Sequence, residues 1–296
     1  MSTVNLSGKL IDLDTITGNS VTNPRTYDGI QIDHVPLSNV FTLMSYNCGG
    51  YYLGTGTNVP TDKESQFESI LRTIVRKNHC DVMCVQEHHH NFSGDVTAES
   101  ILSDYYASFF ENGGDTQYGG RLTGTNKTVS SSSHWSFSQQ SVQGNCLDTV
   151  ISIAGKEVHI LSVHLDWQDQ TRQELQAQEL LNWASDKEYF VICGDFNSVC
   201  YGDTDTDYLT VLKPFIDAGY HCANCSSFGF IPTFYMEGNS GDGSSLDQII
   251  TSENITIHRV WTDKTKYGNP DVGGKVDHLP ICAELVINEK KQTLSD

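Results

Sequence analysis

Six short apolar runs, each ending beside a polar residue capable of chemistry, constrain this chain more than any bulk property. They are FTLMSYN (41–47), DVMCVQE (81–87), VHILSVHLD (158–166), YFVICGDFN (189–197), LDQIIT (246–251) and LPICAELVI (279–287), the last preceded by Asp277 and His278. A half-solvated strand alternates polar and apolar residues, so runs this short and this apolar read as strands buried on both faces. Helical patterns lie between them. Phe67, Ile70, Leu71, Ile74 and Val75 follow the stripe of an amphipathic helix. Ala177, Leu180, Leu181 and Ala184 mark a second, and Tyr208, Val211, Leu212 and Phe215 a third that stops by Gly219. A fourth is expected within 95–110, and the Gly-, Ser- and Thr-rich stretch 111–145 reads as loops joining short strands. The order lacks the strict rhythm of a parallel sheet and predicts two sheets packed face to face with helices outside.

Residues 1–38 are polar and Thr/Asn-rich and read as an N-terminal extension, with a strand or two around Ile30 to Val35. Hydrophobic residues at 38% and aromatics at 10% suffice for a substantial core. No apolar run reaches the ~20 residues that span a bilayer, so no membrane insertion is expected. The opening MSTVNLSGKLIDLD has neither a basic start nor an apolar stretch, so no signal peptide is visible. Nine cysteines is an odd count, and Cys84, Cys193 and Cys282 lie inside apolar runs. Buried thiols in a reducing, cytoplasmic compartment fit better than a disulfide framework. Cys222 and Cys225 form a CxxC without the second pair that would complete a zinc site.

The net charge of −19 argues against coating nucleic acid through a broad basic surface. It does not exclude an enzyme on a phosphate substrate, because a bound metal can reverse the local sign. The basic residues are scattered. Arg72, Arg76 and Lys77, and Lys264, Lys266 and Lys275, come nearest to clustering, and the first group reads as the solvated face of a helix.

A lone carboxylate at a strand end is ordinarily a solvated terminus, and a lone histidine a hydrogen-bonded bystander. Here such residues recur at the same place in successive runs, which puts them on one rim of a sandwich. Asp195 and Asn197 in GDFN are two apart, so on a strand both project to one side. A carboxylate can orient water or accept a proton, while a neutral amide donates to a phosphoryl oxygen without repelling it. His164 and Asp166 repeat the spacing. Asp277 and His278 are adjacent and need a turn or bulge to aim both inward. Glu87 supplies the hard oxygen ligand that Mg²⁺ prefers, and Asn47 ends another run.

Asn47 in MSYN, Glu87 in VQE, His164 in VHLD, Asp195 and Asn197 in GDFN, Asp247 in SLDQI and Asp277-His278 in VDHLP stand in the order of one superfamily. The chain resembles the endonuclease/exonuclease/phosphatase superfamily, with the deoxyribonuclease-I-like fold, across about residues 40–288. The resemblance implies an α/β fold, a four-layer sandwich of two packed mixed β-sheets flanked by helices, with the active site at one end. It implies a catalytic domain over 39–288, with 289–296 as a tail. It also implies roles: Glu87, Asn47 and Asp277 hold Mg²⁺ or Mn²⁺; Asp247 orients His278; Asp195 positions or deprotonates water; Asn197 and His164 bind the scissile phosphate. Whether Asp195 or His278 takes the proton stays open.

The pattern departs from the family in four places. The position two after Asn47, often acidic, is Gly49, and the phosphate contact from a middle loop has only Tyr118 and Arg121 as candidates. His88, His89 and His90 follow Glu87 and read as an exposed polar turn. Cys200 sits where deoxyribonuclease I has a disulfide cysteine, but Ser244 occupies its partner's place, so that bridge is expected to be absent. The leading reading is a Mg²⁺-dependent nuclease acting on DNA. A phosphatase or phosphodiesterase acting on inositol phosphates or phospholipid would keep the same core residues, and a non-catalytic binding module on the same fold is the third reading. Trp167, Phe228, Phe230, Phe234 and Tyr235 could stack on bases or serve the core.

Overall fold

The structure is a computed structural model that describes residues 2–6, 9–12, 26–27, 30–31, 35–48, 61–88, 98–112, 120–139, 144–225, 227–234, 243–263 and 278–288. In chain order the strands are β1 (Ser2–Leu6), β2 (Lys9–Asp12), β3 (Thr26–Tyr27), β4 (Ile30–Gln31), β5 (Val35–Pro36), β6 (Val40–Asn47), β7 (Val82–Gln86), β8 (Ser108–Asn112) and β9 (Arg121–Thr125). There follow β10 (Val129–Ser136), β11 (Asn145–Ile153), β12 (Lys156–His164), β13 (Phe190–Cys200), β14 (His221–Cys222), β15 (Ser245–Thr251), β16 (Ile255–Thr262) and β17 (Ile281–Ile287). The α-helices are α1 (Thr61–Asn78), α2 (Ala98–Leu102), α3 (Gln170–Ala184) and α4 (Lys213–Asp217), the last running on from a π-helical turn at Tyr208–Leu212.

Two six-stranded mixed sheets form the body, in the orders β10-β11-β12-β13-β15-β14 and β16-β17-β6-β7-β9-β8. In each, one central pair is parallel, β12 with β13 and β6 with β7, and the neighbouring pairs are antiparallel. Strand alternation splits the apolar residues into three cores. Phe41, Leu43, Val82, Cys84, Ile160, Val191, Ile249 and Ile281 pack between the sheets. Met44, Tyr46, Met83 and Val85 face the other way, onto Leu71, Ile74 and Val75 of α1 and Ile101 and Leu102 of α2. Leu161, Val163, Phe190 and Ile192 likewise meet Ala177 and Leu180 of α3 and Val211, Leu212 and Phe215. Burial of both faces explains why these runs carry so little alternation. The result is the four-layer α/β sandwich that the resemblance implied.

The local expectations hold with two corrections, the helix within 95–110 and the exposure of His88. Within 95–110 only Ala98–Leu102 is helical, and β8 begins at Ser108, because three buried side chains suffice to dock one short turn. The short strands expected within 111–145 include β9 and β10. Among them β10 is an edge strand, where Ser-rich composition is tolerated because one flank meets solvent. His88 is buried, whereas His89 and His90 lie outside the described residues. All nine cysteines are free and buried, Cys200 among them. Residues 1–38 include β1, β2 and β5 in a three-stranded sheet and β3 with β4 in a two-stranded one. No described helix is long and apolar enough to cross a membrane.

Candidate active site

The inner faces of both sheets turn from apolar to polar toward one end. Along β12 the inward positions are Val158, Ile160, Ser162 and His164; along β13 they are Val191, Cys193 and Asp195. On the opposing sheet the same progression gives Phe41, Leu43, Ser45 and Asn47. Gln86 spans the gap at the changeover, donating to Ser45 Oγ at 3.2 Å and to Ser162 Oγ at 3.1 Å. Beyond it lies a buried hydrogen-bonded cluster. Asn47 Nδ2 donates to Glu87 Oε1 at 3.2 Å and to Asp195 Oδ2 at 3.0 Å, joining the two sheets. His164 Nε2 stands 3.4 Å from Asp195 Oδ2 and 3.8 Å from Glu87 Oε1. His278 Nδ1 is 2.8 Å from Asp247 Oδ2, and its Nε2 is 3.5 Å from Asp195 Oδ2.

Backbone geometry places several of these groups. Gly194 has φ of 151°, and a side chain there would put its Cβ 2.0 Å from the Val163 carbonyl oxygen on the adjacent strand. Only glycine fits at that position of GDFN. Glu87 and Asn197 adopt positive φ, 54° and 50°, the left-handed region that non-glycine residues seldom occupy. That turn lets Glu87 reach Asn47 although Gln86 already faces inward. Asn197 spends its backbone N–H on Asp195 Oδ1 (2.8 Å) and an amide N–H on the Leu165 carbonyl (3.0 Å). It therefore braces the site as well as bordering it. His278 is held against Phe234 by a strand bridge and by ring packing at 4.9 Å.

The electrostatics follow from burial. Burial pushes Asp195 up to about 6, helped by the charge of Asp247 and opposed by His278, Asn47 and Asn197. His164 is driven well below the usual imidazole range, first by burial and then by Arg121 and His278, so it is neutral at pH 7. Arg121 is fully buried and lowered to about 10 by its surroundings, with Glu87 and Asp195 among the charges that hold it up. The middle-stretch arginine thus sits close enough to feel the cluster. Asp166 lies outside it: its carboxylate is held low by Arg172 at 2.7 Å and by the amides of Gln168 and Asp169, despite burial.

Folding therefore forces Asp195 to ionise in a poor medium. The cost is fully present above pH 6 and vanishes as pH falls below the ordinary value of 3.8. Asp195→Asn is expected to stabilise the metal-free protein at pH 7.5 by up to about 3 kcal/mol, with little gain at pH 4. Chemical denaturation at the two pH values measures it.

Seven of the eight site residues named from the sequence are described, and six of them come together: Asn47, Glu87, His164, Asp195, Asp247 and His278. Asn197 borders them through Leu165, and Asp277 lies outside the described residues, as do Tyr118 and Gly49. Among the described residues one His/Cys/Asp/Glu group could hold a metal by proximity, Asp195, Asp247 and His278, whose ligand atoms lie within 4.8 Å. Within it the 2.8 Å contact of His278 Nδ1 with Asp247 is a hydrogen-bond distance, while the 3.5 Å from His278 Nε2 to Asp195 is a looser approach. The Glu87–Asn47 side offers the hard oxygens that suit Mg²⁺. Glu87 and Asp195 both bear on the single buried guanidinium of Arg121, which leaves an excess of carboxylate there. This donor set fits a divalent cation. Sequence reasoning did not see Phe234 against His278, nor the Gln86 bridge, whose only signal was its place before Glu87.

The Endonuclease/Exonuclease/phosphatase family model matches residues 44–266. Solved structures share the fold at low identity. A D. rerio TDP2 humanized by 14 mutations aligns with a TM-score of 0.64 at 16% identity, covering 83% of this chain and 99% of its own. The endonuclease/exonuclease/phosphatase from Beutenbergia cavernae DSM 12333 aligns with a TM-score of 0.64 at 13% identity, over 84% of this chain and 72% of its own. D. rerio TDP2 complexed with single strand DNA product aligns with a TM-score of 0.63 at 14% identity, over 83% and 98%. No curated protein matches the chain. With the family model spanning most of the chain and the two-sheet fold shared with these structures, the protein belongs to the endonuclease/exonuclease/phosphatase family.

Proposed function

We propose that the protein is a divalent-metal-dependent phosphodiesterase that hydrolyses DNA. The observation that carries the reading is the succession of neighbours Asp247–His278–Asp195–Asn47–Glu87, buried except for half-buried Glu87 and drawn from both sheets. Asp247 accepts the Nδ1 proton of His278 and leaves Nε2 facing Asp195. The Asp195–His278 pair would take the proton of an attacking water; an acid raised to about 6 is a stronger base than an ordinary carboxylate and is still ionised at neutral pH. Neutral His164 and the remaining amide N–H of Asn197 would donate to the phosphoryl oxygens without adding charge. Glu87 and Asn47, with Asp277, would hold Mg²⁺ or Mn²⁺, which supplies Lewis-acid stabilisation of charge on the phosphate.

DNA is a demanding substrate for a chain at −19. The cations nearest to serving it are largely committed: Arg121 is buried, Lys127 pairs with Asp81 at 2.8 Å, and Arg172 pairs with Asp166 at 2.7 Å. Lys275 lies outside the described residues. Few phosphates are neutralised, so binding should show weak sequence preference and a shallow salt slope of roughly two to four phosphates. The test is hydrolysis of plasmid DNA, single strands, RNA, inositol phosphates and sphingomyelin with Mg²⁺, with the salt dependence measured on whichever is cut. Cleavage of DNA with a shallow slope supports the reading. Untouched DNA and RNA alongside hydrolysed inositol phosphate or sphingomyelin would replace it with the phosphatase or lipid reading. No turnover of any ester would favour a binding module.

A further inference from the structure

The rim beside the site carries large apolar side chains in solvent. Trp167 is 58% exposed and Tyr201 60%, with Val199 at 44%. Their placement follows from the strands. β12 and β13 are parallel neighbours with His164 opposite Asp195, so the segments leaving their ends adjoin. Trp167 lies three residues past His164. Past Asp195, Phe196, Ser198 and Cys200 are buried while Asn197 is half-buried and Val199 and Tyr201 are exposed, so these three share the outward side. Val199 and Tyr201 follow Asn197 by two and four residues, Tyr201 standing just past the end of β13.

Both segments are rigidly tied. Asp166 Oδ1 accepts from the amides of Gln168 and Asp169, each at 2.8 Å, fixing the turn that bears Trp167. Asp207 Oδ2 accepts from Val199 N at 2.7 Å, and Asp205 Oδ2 from Tyr201 N at 2.6 Å. Gln170 Nε2 to Asp207 Oδ1 (3.2 Å) and Asn197 Nδ2 to the Leu165 carbonyl (3.0 Å) join one segment to the other. A preorganised aromatic surface costs little to use in binding.

We propose that Trp167, Val199 and Tyr201 form a stacking subsite for the unpaired bases of single-stranded DNA, leading away from the scissile phosphate. The inference rests on the nuclease reading and narrows its substrate. Asp203, Asp205 and Asp207 line the same loop, and such a rim repels the two phosphate backbones of a duplex more than one. Stacking draws on the face of the base, is indifferent to its identity and needs no cation. Tyr201, past the end of β13, would be reached by a strand that extends beyond the cleaved bond.

The test compares a twelve-nucleotide oligothymidylate, an abasic strand of the same length and a duplex, using wild type, Trp167→Ala, Tyr201→Ala and Trp167→Phe. Expected is a rise in KM for oligothymidylate of roughly tenfold per alanine, carried by KM rather than kcat, with Trp167→Phe close to wild type. The abasic strand should bind the wild type more weakly and be nearly indifferent to the substitutions. Unchanged KM in both alanine variants, equal KM for abasic and base-bearing strands, or a preference for duplex would each overturn the subsite while leaving the nuclease intact. An inert wild type on every strand, with another ester hydrolysed, would instead overturn the nuclease reading and the subsite with it.

Discussion

His278→Ala is expected to lower kcat by at least ~10² while leaving the cooperative unfolding transition in place. The imidazole is buried against Phe234 with Nδ1 on Asp247 and Nε2 toward Asp195. Removing it takes away the one imidazole that spans the two carboxylates. Added imidazole should restore part of the lost rate if the ring acts in the chemistry, and should restore nothing if it only fills space. Asp247→Asn should lose rate in the same direction, because an amide can offer Nδ1 a donor where the ring needs an acceptor and so admit the wrong tautomer. Steady-state kinetics and thermal unfolding of both variants check this. Wild-type turnover in both, together with a dead Asp195→Ala, would show that the His–Asp pair is structural.

Glu87→Ala is expected to cost about 10³-fold or more in kcat/KM, since a bound metal contributes several kcal/mol of transition-state charge stabilisation. Glu87 is reached through a left-handed backbone turn and is held by Asn47, a strained placement that has no evident value for packing. Chelation should abolish the activity of the wild type, and Mg²⁺ or Mn²⁺ should restore it. Neither ion should rescue Glu87→Ala, and calorimetric titration of the variant with Mn²⁺ should show weakened binding. Full activity of Glu87→Ala in metal-free buffer would refute the assignment.

Some of this was legible in residue order. The runs that became β6, β7, β12, β13, β15 and β17 carry their strand character locally, in short apolar stretches of β-branched and aromatic residues. The two-residue step from Ser162 to His164 and from Cys193 to Asp195 is a property of any extended chain, so the inward column of polar ends could be read before folding. Other features could not. Asn197 shares the GDFN motif with Asp195, yet its positive φ and its bond to Leu165 carry it to the border of the cluster. The Ser-rich stretch of β10 has no apolar period to announce a strand, because an edge position demands none. Arg121 looked like a loop cation and proved to be the largest fully buried side chain among the described residues.

By itself, then, the sequence determined that the six apolar runs extend, that both faces of each are covered, and which carboxylates, amides and imidazoles stand at their ends. Those are consequences of side-chain pattern over a few residues, within reach of backbone geometry alone. Tertiary structure decided which ends meet. Asn47 and Asp195 touch across 148 residues of chain, and Asp247 and His278 across 31, because the two sheets stack with their polar ends aligned. It also decided the state of each group. The raised pKa of Asp195, the neutrality of His164 and the buried charge of Arg121 come from the surrounding medium and the neighbouring charges. A low-dielectric interior is made by contacts between distant segments, and no window of sequence contains it.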